Sequence, residues 1–321
     1  MSKNQTVERI RHLGALGFGT APIGNLYREV PQAEALGAVE TAWQRGIRHF
    51  DTAPHYGLGL AERRLGEALS GKPRDAYLLS SKVGRLLRPN PAPQGGDTEG
   101  FAVPDDLTRI FDYSRDGVLR SIEESLVRLN TDRLDVVYIH DPDEHWDEAI
   151  AGAVPALSEL RDQGVIGAYG AGMNQSAMLE RFVREADVDL VMLAGRYTLL
   201  EQAGARNLIT ACRERGVGIV DVGVFNSGLL SKDRPAPDAT YNYAPAPPAM
   251  LQRANALADL AEKHGTTLPA AALAFPYREP AVVSVILGMR TPEQVEQNVL
   301  LSDAVVPEQF WQEAAAAGYL D

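Results

Sequence analysis

The chain holds one cysteine, Cys212, among 321 residues, which excludes an internal disulfide and any cysteine-based metal cluster. Cys212 falls in a helical pattern (Asn207 to Arg215), where a plain packing role is expected. Positive charge is also scarce. Thirty-one Lys and Arg against 43 Asp and Glu leave a formal net charge of −12, which argues against general nucleic-acid binding. No apolar run approaches the ~20 residues of a membrane span. The polar start, Met1 to Glu8, lacks the apolar region of a signal peptide, so a cytoplasmic location is expected. His12, His49, His145 and His264 show no ligand spacing, and no metal is expected. No Gly-x-Gly-x-x-Gly follows a strand; Gly17-Phe18-Gly19 and Gly57-Leu58-Gly59 are incomplete versions of that fingerprint. What remains, 45% hydrophobic and 23% charged residues, is ordinary for a chain that buries a full core.

What is present is alternation. Strand-like runs at Ala15–Thr20, up to Asp51, up to Lys82, up to His140, and at Val165–Gly170, Asp189–Ala194, Val217–Val222 and Val282–Gly288 alternate with helical patterns. Those helices fall near Gln32–Arg45, Leu60–Leu69, Arg115–Leu129 (with Ser114 as N-cap), Asp147–Asp162, Ser176–Ala186, Ala205–Arg215, Pro248–His264 and Pro292–Leu301. Eight βα units without repeated hairpin reversals predict one α/β domain over residues 1–321, a closed (β/α)8 TIM barrel rather than an open doubly wound sheet. Two long stretches interrupt the rhythm, Arg85 to Tyr113 after the third strand and Phe225 to Pro247, with Tyr241-Asn242-Tyr243-Ala244-Pro245, after the seventh. Both are expected on the C-terminal face as walls of a substrate pocket. The run Ala314 to Ala317 belongs to a terminal helix and carries no functional signal.

Four polar residues stand where such a barrel builds its active site: Asp51, Lys82 and His140 end three strands, and Tyr56 follows Asp51 by five positions. A phenol titrates near pH ~10 and an adjacent ammonium favours the phenolate, so a Tyr-Lys pair can exchange a proton near neutrality. A carboxylate beside the lysine keeps it charged in a partly buried site. Singly, each has a bland role: a cap, a solvated charge, a hydrogen-bonded structural histidine. The ordered set points to hydride-transfer chemistry. His55 could line the pocket or merely cover the barrel rim.

The segment His49-Phe50-Asp51-Thr52-Ala53-Pro54-His55-Tyr56-Gly57, followed by Ala61-Glu62-Arg63-Arg64-Leu65-Gly66, resembles the aldo-keto reductase signature. Ser80-Ser81-Lys82-Val83-Gly84 and Asp135-Val136-Val137-Tyr138-Ile139-His140-Asp141 resemble its lysine and histidine segments. Leu193 to Leu200, Gly223 to Leu230 and Tyr241 to Pro248 resemble a narrower branch, the D-threo-aldose 1-dehydrogenases and related pyridoxal 4-dehydrogenases. The resemblance implies Tyr56 as general acid/base, Lys82 lowering its pKa, Asp51 holding Lys82, and His140 as a neutral donor to the reacting oxygen.

The resemblance also implies a nicotinamide cofactor held by Gly19, Thr20, Asp51, Asn174, the Phe225-Asn226-Ser227-Gly228 segment, Gly288-Met289-Arg290, Gln294, Gln297 and Asn298. Its substrate pocket would include His55, Tyr56, His140, Trp146 and Asn226. Many NADPH-using members carry Arg where Gln294 stands, and Gln cannot give a 2′-phosphate a bidentate cation, so NAD is favoured over NADP. The aromatic that usually stacks on nicotinamide after strand seven is missing from Asp221-Val222-Gly223-Val224. The expected substrate is a small sugar or aldehyde. The leading reaction is oxidation of an aldose at C1 to its lactone. Oxidation of pyridoxal, NADPH-dependent carbonyl reduction, and a non-catalytic, cofactor-sensing channel subunit stand as alternatives.

Overall fold

Short runs such as Val136-Val137-Tyr138-Ile139-His140 are apolar on both faces, which suits a strand buried between a barrel interior and an outer helix layer. In the computed structural model, which describes residues 3–242 and 244–320, eight such runs form a closed parallel barrel. They are β1 (Leu16–Gly19), β2 (His49–Asp51), β3 (Leu78–Val83), β4 (Val136–His140), β5 (Ala168–Met173), β6 (Leu190–Ala194), β7 (Gly218–Val222) and β8 (Val282–Gly288). Closure comes from β1, whose Gly19 stands opposite Asp51 on one side and Gly288 on the other. The (β/α)8 architecture is the one the alternation predicts.

Side chains alternate across the barrel wall. Val136 and Tyr138 point inward to meet Leu78, Leu190, Val220 and Ile286, while Val137 and Ile139 join the core beneath the helices. The bottom of the barrel is plugged by a helix, Lys3–Leu13, which the polar N-terminal sequence does not announce. Its Val7 and Ile10 join the interior cluster, and Thr6 Oγ1 donates to Gly167 O at 3.1 Å.

Three more elements depart from the sequence reading. The fifth strand begins at Ala168 rather than Val165, because the Val165 and Ile166 amides fold back onto Leu160 O. The helix expected at Asp147–Asp162 has a π-turn, Ala149–Ala153, before Val154–Asp162; Pro155 lacks the N–H that a regular turn needs. A further helix, Leu268–Ala274, is capped by Thr267, whose Oγ1 accepts from Ala270 N.

The two long insertions sit on the C-terminal face. The first contains an antiparallel pair, Arg85–Pro89 with Leu107–Phe111, and its middle reaches the loop after β1. There Leu26 bridges Phe101, Tyr27 N donates to Gly100 O at 2.8 Å, and Ala102 N donates to Asn25 O at 2.9 Å. Arg64 pins the loop after β1 from below, donating to Ile23 O, Asn25 Oδ1 and Val30 O. The second insertion carries the small pair Thr240–Tyr241 with Ala244–Pro245. Tyr243 lies outside the described residues. No helix among the described residues is long and apolar enough to cross a membrane. Cys212 is fully buried, and burial pushes its thiol up to about 12, as befits a packing residue.

Candidate active site

Strand ends bring the polar set together. Lys82 points inward from β3 and donates to Asp51 Oδ2 at 2.6 Å and to Thr52 O at 2.9 Å. Ser80, two residues back on the same face, donates to Asp51 Oδ1 at 2.7 Å, so both carboxylate oxygens are engaged. Burial alone would lower the Lys82 pKa, but Asp51 and the Tyr56 hydroxyl together raise it above its ordinary value.

Tyr56 reaches this pair through a tight turn. Gly57 adopts φ +61°, and a Cβ there would lie 2.2 Å from Gly24 O, so the turn and the loop after β1 interlock only with glycine. Lys82 Nζ lies 4.8 Å from the Tyr56 ring centroid and interacts with its hydroxyl. Burial raises the phenol pKa, and Lys82 pulls it only part of the way back. Lys82 thus lowers the phenol pKa as the resemblance implies, but burial outweighs it and the net shift is upward.

His140, at the end of β4, stands edge-on to Tyr56 with ring centroids 5.8 Å apart. Burial, followed by the nearby Lys82, Arg85, His55 and Arg109, holds its pKa well below the usual value, so the ring is neutral. Its backbone oxygen accepts from Tyr113 Oη at 2.9 Å. His55 lies 5.6 Å from His140 and is likewise neutral, held at about 2 by burial and by Arg85 and Arg109.

These groups line a cavity of about 470 Å³ with Tyr27, Glu99, Phe101, Asp141, Asn174 and Met192. His55 is therefore a pocket residue. Trp146 is not: it packs against Phe182 at 4.7 Å and beneath Arg181, drawn into the helix layer by its apolar rings. Tyr27 and Phe101 supply aromatic surface instead. No periodic signal in the sequence marks them, nor Glu99, because loop pairing brings them to the site. Asp141 could have been found from its place directly after His140.

A second cavity of about 590 Å³ adjoins the first, the two sharing Leu26, Tyr27 and Gly223. Phe225, Asn226, Ser227, Gly228, Gly288 and Arg290 line it. The insertion after β7 thus walls this second cavity rather than the first, and Asn226 belongs here. Asn226, Ser227 and Gly228 all have positive φ, which turns the chain tightly along the cavity. Asn226 Oδ1 is buried without a protein partner. Asn174 donates its amide N–H to Ala194 O at 2.9 Å and keeps its own oxygen for a ligand's N–H. Two joined cavities with such unspent polar atoms fit a dinucleotide whose nicotinamide lies in the first.

Several expected cofactor contacts fall elsewhere. Thr20 is fully buried behind the rim, and Gly19 is packed against Ile286 and Leu287. Asp51 has spent its oxygens on Ser80 and Lys82. Met289 turns into the core beside Val295. Gln294 Oε1 accepts from Arg290 N at 3.0 Å, while neither Gln297 nor Asn298 lines either cavity. The aromatic missing after β7 is not replaced by Phe225, which lies in the second cavity.

Residues 15–318 match the Aldo/keto reductase family. The chain is 48% identical over 307 residues to a D-threo-aldose 1-dehydrogenase from Pseudomonas sp., covering 94% of this chain and 93% of that one. It is 38% identical over 324 residues to a pyridoxal 4-dehydrogenase from Microbacterium luteolum, covering 95% and 94%. Among solved structures, an aldo-keto reductase from Bacillus halodurans in its holo form superposes with a TM-score of 0.71 at 25% identity, covering 93% and 91%. The chain belongs to the aldo/keto reductase family and is an oxidoreductase.

Proposed function

We propose that the protein oxidises the C1 hydroxyl of a cyclic aldose to the lactone, with NAD as hydride acceptor. Members of the family use nicotinamide cofactors, and a bound nicotinamide supplies the acceptor for the C1 hydride. The observation that carries the reading is the Tyr56 hydroxyl beside a buried, Asp51-paired Lys82 in a cavity that also holds a neutral imidazole. Tyr56 Oη, as the phenolate that Lys82 stabilises, takes the proton of the anomeric hydroxyl and becomes the phenol as the C1 hydride leaves for the acceptor. Neutral His140 keeps an N–H for the reacting oxygen and fixes its position. The aldose assignment draws on the D-threo-aldose 1-dehydrogenase at 48% identity.

The preference for NAD rests on position 294: Gln294 does not line the second cavity, but it accepts from the lining Arg290 N and brings no positive charge there. Arg290, with Arg28 near enough to depress its pKa further after burial, is the cation of the second cavity. Fluorescence titration with both reduced cofactors decides: tighter NADH binding supports NAD, and strong NADPH preference assigns that pair of guanidiniums to a 2′-phosphate.

The ring-lined wall of Tyr27, Tyr56 and Phe101 favours one second reading, a flat aromatic aldehyde such as pyridoxal. A panel of aldopyranoses and pyridoxal, followed at the reduced-nicotinamide absorbance, separates the two. Tyr56→Phe is expected to lower kcat by about 10²- to 10⁴-fold while cofactor binding persists. Pyridoxal turnover with no aldose active would sink the sugar assignment.

A further inference from the structure

At the mouth of the first cavity the insertion after β3 gathers two guanidiniums, Arg85 and Arg109, and three carboxylates, Asp97, Glu99 and Asp141. Asp141 holds Arg85 at 2.7 Å, and Asp97 holds Arg109, so each guanidinium has its own carboxylate. Glu99 is different. Its surrounding donors are Arg85 Nη1 at 3.5 Å, Arg109 Nη1 at 3.6 Å and His55 Nδ1 at 3.7 Å. All three are looser than a normal hydrogen bond, while an ionised carboxylate offers roughly four acceptor sites. The Glu99 side chain is 46% exposed and lines the cavity.

The opposite requirement is met nearby. His55 Nδ1 and His140 Nδ1 are buried with no hydrogen-bond partner, and His140 is only 7% exposed. Neutral imidazoles and a carboxylate with spare lone pairs suit hydroxyl groups, which donate and accept at once. Among the described residues that line the cavity, Lys82 is the one cation, and Asp51 neutralises it. At the mouth, Asp141 and Asp97 match Arg85 and Arg109, which leaves the charge of Glu99 in excess.

We propose that Glu99 is a specificity-determining residue, accepting a hydrogen bond from a hydroxyl of an uncharged polyhydroxylated substrate and rejecting carboxylated or phosphorylated analogues. Attraction and rejection come from the same carboxylate, which discriminates by repelling the wrong substrate as well as holding the right one. The inference rests on the aldose reading, since it names the substrate class for that site.

The test compares L-galactose with L-galacturonate, which differ only at C6, in the wild type, Glu99→Gln and Glu99→Ala. Glu99→Ala is expected to raise KM for L-galactose by about 10- to 100-fold, with kcat changing far less. Glu99→Gln keeps an acceptor oxygen but loses the charge, so it is expected to retain much of the affinity for L-galactose. Both variants are expected to relax the preference for the neutral sugar by about tenfold, and added salt is expected to relax it in the wild type. A purely structural role would move both substrates alike and lower the thermal midpoint. An unchanged preference in Glu99→Gln, or an unchanged KM in Glu99→Ala, overturns the proposal. If the wild type oxidises no aldose, the aldose reading fails by itself. The preference is then read in the reductive direction with glyceraldehyde and glyceraldehyde 3-phosphate, where the same outcomes decide the role of Glu99.

Discussion

Tyr56 holds its proton tightly because burial outweighs the pull of Lys82. In the role proposed for Tyr56, reduction needs that proton in place and oxidation needs it gone. The reductive kcat is therefore expected to stay flat from about pH 6 to about pH 8, while the oxidative kcat climbs by up to about tenfold per pH unit. His55 and His140 stay neutral across this range and add no step near the ordinary histidine value. Steady-state pH profiles in both directions check this. A flat oxidative profile would remove Tyr56 as the base. Lys82 stays charged at 2% side-chain exposure because Asp51, 2.6 Å away, and the Tyr56 hydroxyl both favour the ammonium, so phenol and ammonium act as one proton-holding unit.

At the scale of elements, the turn at Gly57 and the loop after β1 are the parts on which Tyr56 depends. Gly57→Ala places a methyl against Gly24 O in a left-handed backbone, and is expected to cost about 1–2 kcal/mol in stability from the backbone alone. Displacing Tyr56 by about 1 Å is expected to cost about 10²-fold in kcat. A thermal midpoint with single-turnover kinetics reads both, and normal turnover would show that the turn tolerates the methyl.

The same elements explain what the sequence discloses. Asp51, Lys82 and His140 are legible because each is the polar residue that closes a strand-like run in a regular βα alternation. Tyr27, Glu99 and Phe101 are not, because they meet through pairing between residues 25–27 and 100–102, far apart in the chain and without periodicity. Trp146 is misread for the complementary reason: an aromatic after a catalytic strand looks like a pocket wall, but it packs on Phe182 one βα unit along.

The whole molecule is a barrel whose interior carries polar groups as well as apolar ones. His49 is fully buried, its Nδ1 lies 3.2 Å from Ser284 Oγ, and burial lowers its pKa to about 4. In the unfolded chain the same imidazole titrates near pH ~6.5, so between those values the unfolded state binds a proton that the folded state refuses. Stability contributed by His49 is thus complete above pH ~6.5 and is lost as pH falls toward 4, by up to about 3 kcal/mol. Thermal midpoints from pH 7 to pH 4.5 are expected to fall, and to fall less in His49→Gln. A midpoint indifferent to pH in that window would contradict a neutral His49.

The seam between Asn25–Tyr27 and Gly100–Ala102 has a thermodynamic consequence. Leu26 and Tyr27 wall both cavities, so one stretch of backbone faces the proposed substrate and dinucleotide sites together. A ligand that tightens this wall changes the free energy with which the other is received, and linkage makes that influence reciprocal. Whatever affinity the cofactor lends the substrate, the substrate returns in equal measure.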